Sequence, residues 1–272
     1  LAADMRAAGK CASCALHAAH CICRRLEQLR AKSARVGPGL DVKFVVWMHV
    51  HERGRSSNTG KLLELVVPGA EVLLQDVPEH SSRFKALVGA SRGRACVLFP
   101  SDTAVPVAEL AGALPAESDG AAARRLGEGS AVEAAAPLLV VVVDGTWRQA
   151  KRMHREFEGI RHVALEPCGQ SEFHWRRQSQ EGRVSTVEAA ALFLEALGED
   201  PVVGRPALLR EALSELNAAL ERQCHYDAFL AGPPPPEPSA RKKAAASQRL
   251  PKRSPGLRSQ ASDTDGSPAS RW

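Results

Sequence analysis

Between residues 40 and 230, short runs of consecutive apolar residues alternate with stretches spaced for helices. Residues 44–48 (Phe-Val-Val-Trp-Met), 71–74 and 95–99 each read as a buried strand. Residues 138–143 hold six apolar side chains in a row, four of them valine, and make the strongest strand signal. Such continuous apolarity suits a strand covered on both faces, as in a parallel sheet between helices. Residues 161–165 predict an edge strand. Residues 147–157 predict a helix, and so do residues 185–197, where Ser185 caps and Glu188 completes a capping box. Residues 206–230 repeat Leu209, Leu213, Leu216 and Leu220 at helical spacing, with Pro206 suited to the first turn. Strand–helix alternation of this kind implies an α/β fold with helices on both faces of the sheet.

Two segments fall outside the pattern. Residues 112–136, rich in Ala, Gly, Ser and Glu, predict a flexible insertion. Residues 232–272 open on a glycine and four prolines and continue in Ser, Pro, Lys and Arg. This tail has too little apolar surface to fold and is expected to be disordered. The expected organisation is therefore a Cys-rich head at 1–30, one α/β domain at 31–231 and the tail.

Charge sharpens that division. The net charge is +5, yet eight of the 36 Lys and Arg and only three of the 31 Asp and Glu lie in 232–272. The whole excess sits in the tail and the body is balanced, which excludes a uniformly basic DNA-coating domain. The tail reads as an electrostatic tether for nucleic acid, a nuclear-import signal or simply a solvated end. Aromatics at 4% argue against a base-stacking platform. The longest apolar run, 134–143, is broken by Pro137 and falls short of the about 20 residues that cross a bilayer, so no membrane is expected. The seven cysteines are odd in number and four crowd into residues 11–23. That distribution speaks for a reducing compartment, nucleus or cytoplasm, rather than a secreted disulfide framework. The chain opens on Leu1 and not on methionine, which leaves room for an organelle address upstream.

The crowded cysteines are Cys11, Cys14, Cys21 and Cys23. A Zn²⁺ ion takes four thiolate or imidazole ligands at tetrahedral corners, and four thiolates would close the shell into a structural site. His17 and His20 lie in the same loop as substitute ligands. The competing reading is four unrelated free thiols.

In open α/β sheets the ligand site lies beyond the carboxyl ends of the strands. Polar segments stand at several such ends. Pro100-Ser101-Asp102 follows the third strand, Asp144-Gly145-Thr146-Trp147 the valine run, and Arg183-Val184-Ser185-Thr186 opens a helix. His49 to Leu62 follows the first strand. Each has a bland alternative: Asp144 as a helix cap, Trp147 as core, Asn58-Thr59-Gly60 as a turn. His49 and His51, if still in strand, would point to opposite faces.

The order of these segments resembles the DTW-domain family of tRNA-uridine aminocarboxypropyltransferases. The resemblance rests on Asp144-Gly145-Thr146-Trp147 with Arg148-Gln149-Ala150, on the four-cysteine cluster, on Asn58 to Leu62, on Pro100-Ser101, and on Arg177, Gly182 and Ser185 to Ala189. It spans about residues 11–225. The chain departs from the family in lacking a proline within the cysteine loop, in the residues around His51, where a His-Pro-x-Glu pattern is common, and in the 112–136 insertion.

The resemblance implies a SPOUT-like sheet with a knotted C-terminal half that holds S-adenosylmethionine. It implies transfer of that molecule's 3-amino-3-carboxypropyl group to N3 of a uridine in tRNA, with no obligate protein partner evident. Asp144 is then expected to act as base or orienter, Thr146 to hydrogen-bond and Trp147 to stack on a ring. Pro100, Ser101, Gly145, Ser185 and Thr186 are expected to bind the S-adenosylmethionine, and Asn58, Thr59 and Arg177 the substrate. Two other readings stay open: an RNA methyltransferase using the same co-substrate, and a non-catalytic protein that binds zinc and RNA.

Overall fold

A period-two alternation hidden inside the apolar runs organises the fold. The computed structural model describes residues 2–36, 41–113, 136–166, 169–175 and 183–231. They belong, Ala231 apart, to the first of two units, Leu1–Leu230; the second is Ala231–Trp272. The predicted tail at 232–272 and most of the predicted insertion lie outside the described residues.

Six strands form one parallel sheet: β1 (Val42–Met48), β2 (Glu71–Leu74), β3 (Ala95–Leu98), β4 (Val105–Pro106), β5 (Leu138–Asp144) and β6 (Arg161–Ala164). Their spatial order is β2-β1-β5-β3-β6-β4. The register aligns Val46 with Val142, and Val45 and Val97 with Val141, so even-numbered residues of the three central strands share one face and odd-numbered residues the other. Phe44, Val46, Met48, Cys96, Leu98, Val140 and Val142 enter the larger core; Val45, Trp47, Val97, Leu139 and Val141 enter the smaller. Both faces must be covered, which is why no polar alternation shows in these strands.

The larger core is roofed by α2 (Cys23–Ser33), α3 (Lys61–Val66), α5 (Val107–Ala113), α7 (Thr186–Ala196) and α8 (Arg205–Ala231). A short α1 (Ala2–Ala7) precedes them. The smaller core is closed by α4 (Pro78–Ala90), α6 (Trp147–Met153) and the 3-10 turn His154–Phe157. There Phe84 and Phe157 pack on Trp47 at ring distances of 5.1 and 6.0 Å. The cysteine head is fastened to the body. Cys14, Leu16, Ile22, Leu26 and Leu29 bury in the larger core. Arg25 pairs with Glu211 and Glu215 of α8, and the Ser56 hydroxyl donates to the Ala15 carbonyl at 2.9 Å.

Several expectations need correction. β6 is not an edge strand: it lies between β3 and β4. The edge on that side is the two-residue β4, too short to leave a periodic signal, and its Pro106 is tolerated where, among the described residues, no further strand needs an N–H. The helix expected over 147–157 tightens to 3-10 geometry at His154. The helices at 2–7, 23–33, 61–66, 78–90 and 107–113 were not anticipated. Among the described residues no helix is long and apolar enough to cross a membrane.

Phe193 of α7 is fully buried edge-on against Phe44 of β1, with ring centroids 6.3 Å apart. Phe193→Ala should therefore cost about 3–5 kcal/mol of stability, read from the urea midpoint.

Candidate functional site

β5 ends at Asp144 and the chain turns through Gly145 and Thr146 into α6. A capping box starts that helix: the Thr146 N–H donates to Gln149 Oε1 at 2.7 Å, and the Gln149 N–H reaches Thr146 Oγ1 at 3.4 Å. The turn has room only for glycine or a tight fit, since a Cβ at Gly145 would stand 3.0 Å from Met153 Cε and 3.1 Å from Gln149 Cβ. The Gln149 amide nitrogen lies 3.1 Å from His49 Nδ1, which also accepts from the His51 N–H at 3.2 Å. Two donors on Nδ1 put the proton of the neutral ring on Nε2. Burial, then the neighbouring His51, lowers the His49 pKa and favours that neutral form. β1 stops at Met48, so the two histidines do not alternate across a strand; they sit on a 3-10 turn with rings 5.0 Å apart.

Asp144 itself is buried, with 3% of its surface exposed. Its Oδ2 accepts from Asn58 Nδ2 and its Oδ1 from the Thr186 hydroxyl, each at 2.5 Å. The carboxyl group thus joins the end of β5, the loop after β1 and the start of α7. Asn58 is committed on both sides, because its Oδ1 accepts from the Lys61 N–H at 3.0 Å. The buried Lys61 ammonium closes the same loop by donating to the carbonyls of Ser56, at 2.6 Å, and Arg55, at 3.2 Å. Gly60 is needed here for close approach: a Cβ would fall 2.8 Å from Asp144 Cγ. On α7, Glu188 accepts from the Ser185 N–H at 2.7 Å, as the capping-box spacing predicts.

A cavity of about 890 Å³ opens at the carboxyl ends of β3, β5 and β6. Its wall includes five of the predicted residues: Pro100, Ser101, Gly145, Trp147 and Thr186. Asp144, Thr146, Ser185, Asn58 and Thr59 are not part of that wall. Asn58 and Thr59 are 1% and 4% exposed. Arg177 and Gly182 lie outside the described residues.

The wall also carries groups to which the sequence reading gave no role in a site: Lys151, His154, Arg155, Glu166 and Arg183. The Arg183 guanidinium lies 3.8 Å from the centroid of the Trp147 ring, a cation–π contact. Burial lowers the Arg183 pKa. His154 stacks on Phe99 at 4.6 Å. A signal for Lys151, His154 and Arg155 existed: with Trp147 they are spaced i, i+4, i+7, i+8 and fall on one side of a helix.

The head brings its four cysteines together. Cys11 and Cys23 Sγ are 3.5 Å apart, Cys14 and Cys21 3.7 Å, and all four sulfurs lie within 4.8 Å of one another. A tetrahedral zinc site has sulfur–sulfur edges of about 3.8 Å, so this group can hold a metal ion. Neither His17 nor His20 belongs to it. The thiols resist ionising together: burial and the neighbouring sulfurs raise the pKa of Cys21 and of Cys23. Burial also opposes the Cys11 thiolate, but hydrogen bonds from the Cys14 and Ser13 backbone prevail and bring it down to about 6. A bound cation would remove the mutual repulsion.

The family model described as DTW domain matches residues 8–226. The chain is 28% identical over 174 residues to "tRNA-uridine aminocarboxypropyltransferase 2" of Drosophila melanogaster. That alignment covers 62% of this chain and 61% of the relative, so the chain spans about three fifths of the curated relative it matches. No solved structure matches.

Metal analysis of the purified chain should find about one zinc per molecule. Cys14→Ser should lose it, and a well-folded, metal-free wild type would refute the zinc assignment.

Proposed function

The chain belongs to the DTW-domain family, and on that premise we propose that it modifies tRNA, transferring the 3-amino-3-carboxypropyl group of S-adenosylmethionine to N3 of a uridine. In that reaction the bond from N3 to the terminal side-chain carbon forms as the bond from that carbon to sulfonium breaks. Sulfur departs as a neutral thioether, and the N3 proton passes to a base. The observation that carries the reading is convergence: Pro100-Ser101, Gly145 with Trp147, and Thr186 come from three separate segments of chain and line one cavity.

That cavity lies within the about 300–1,000 Å³ usual for ligand sites, and its donor set fits the proposed co-substrate. Trp147 offers an aromatic surface, with Arg183 over its ring. The N-terminus of α7 at Ser185 and Thr186 suits a carboxylate. The loops at Pro100-Ser101 and Gly145 line the same cavity at the ends of β3 and β5. Attack must fall on the carbon chain and not on the methyl group, so the walls must orient the sulfonium.

We assign Asp144 the orienting role. Its two hydrogen bonds support that role over the role of base, because both oxygens already hold donors. Thr146 shapes the turn that presents Trp147, while Asn58 and Thr59 act on the substrate through the loop that they hold closed. Arg177 is kept as a ligand for phosphate or carboxylate. The head is proposed to hold structural zinc. The SPOUT-like, knotted topology belongs to the same proposal, supported by a parallel sheet covered on both faces.

Incubation with S-adenosylmethionine and bulk tRNA, followed by nucleoside mass spectrometry, should reveal an aminocarboxypropyl uridine. A methylated base would point to a methyltransferase instead, and failure to bind S-adenosylmethionine to a non-catalytic protein. Asp144→Ala should abolish the product while leaving a folded chain, destabilised by about 1–3 kcal/mol because two donors lose their acceptor. Full activity in that variant would remove Asp144 from the mechanism.

A further inference from the structure

The segment after the Asp144–Trp147 turn is amphipathic in charge as well as in hydropathy. Ala150, Met153 and Phe157 bury in the smaller core. Arg148, Lys151, Arg152 and Arg155 are all exposed, at spacing i, i+3, i+4, i+7, and so form one stripe along α6 and the 3-10 turn that continues it. None of the four makes a salt bridge to a described residue. Many other cations are neutralised: Arg25, Lys43, Arg53, Arg83, Arg205 and Arg210 each face a carboxylate. The acid in the same segment, Glu156, is engaged by the Gln75 amide at 2.5 Å. Lys151 and Arg155 stand on the cavity wall while Arg148 and Arg152 do not, so the stripe runs along the rim of the cavity.

We propose that this stripe is the docking surface for the sugar-phosphate backbone of the RNA whose base enters the cavity. The inference rests on the tRNA reading above and adds the face by which the tRNA is held. The physical argument is concentration of charge. The body is neutral as a whole, so the affinity of the body itself for RNA must come from a local excess, and four cations on one ridge without a carboxylate partner among the described residues supply it. Along the helix the stripe runs about 10 Å at 1.5 Å per residue, and the long Arg and Lys side chains extend its reach to neighbouring phosphates of one RNA strand. A guanidinium pairs with phosphate oxygens through parallel hydrogen bonds, and three of the four residues are arginine. The same helix carries Trp147, so backbone contacts would fix the register of the base relative to the cavity.

The test uses the full chain and labelled bulk tRNA, with binding followed by fluorescence anisotropy between about 50 and 200 mM salt. Arg148→Gln with Arg152→Gln changes only residues off the cavity wall. This double variant should bind tRNA roughly tenfold more weakly, and the slope of log K against log salt should fall by about 1.5, at about 0.7–0.9 per phosphate contact. Its affinity for S-adenosylmethionine, measured by calorimetry, should stay at the wild-type value. Adding Lys151→Gln and Arg155→Gln should take the loss in slope to about 3. Arg148→Lys with Arg152→Lys should keep most of the slope. Unchanged tRNA affinity and slope in the fourfold variant would overturn the proposal, as would equal loss in the lysine variant. If the stripe carries tRNA binding but no modified uridine forms, the transferase reading falls and this inference stands. If the wild type binds no tRNA, both fall.

Discussion

A buried carboxyl group holds the functional end of this protein together. Asp144 sits at the tip of the central strand, nearly free of solvent, where an unsatisfied carboxylate would cost several kcal/mol. Asn58 and Thr186 supply its hydrogen bonds from segments 86 and 42 residues away. Satisfying one acid therefore dictates where two loops lie. Asn58 must in turn be held by the Lys61 backbone, the loop must be closed by the Lys61 ammonium, and position 60 must lack a side chain. Three motifs that look independent in sequence are the parts of one polar knot.

From that knot the cavity follows. Fixing Thr186 sets the start of α7 against β5, and the tight Gly145-Thr146 turn launches α6 so that Trp147 faces the space between them. The Gln149 side chain serves the cap and also reaches His49, which ties the ends of β1 and β5 on the other side. The head contributes by packing as well as by its cysteines. Its apolar residues share the larger core, and Ser56, next to the Asn58 loop, bonds to Ala15 within the cysteine cluster. A metal bound by the head would thus steady the loop that supports Asp144.

Much of this was legible along the chain. The central strands appeared because residues buried on both faces leave uninterrupted apolar runs, and the Ser185–Glu188 and leucine spacings marked their helices. The cysteine cluster was legible because its ligands are nearly contiguous. Other elements left weaker traces. β4 is two residues long, and α3 is a single apolar turn and a half behind a polar loop. β6 looked like an edge because its flanking strand was invisible. At the site, Trp147 and the loops were picked out by their order, but the cavity-lining faces of Lys151, His154, Arg155 and Arg183 were not.

The sequence alone determined which residues are chemically unusual, in what order, and that strands alternate with helices. It does so because burial and helical periodicity are local properties, written in neighbouring positions. Only the tertiary structure decided that Asp144 is an internal tie rather than part of the cavity wall, that Arg183 covers Trp147, and that the cations of α6 have no carboxylate partners among the described residues. Those facts depend on pairings between segments tens of residues apart, and spacing along the chain carries no record of which distant donor meets which acceptor.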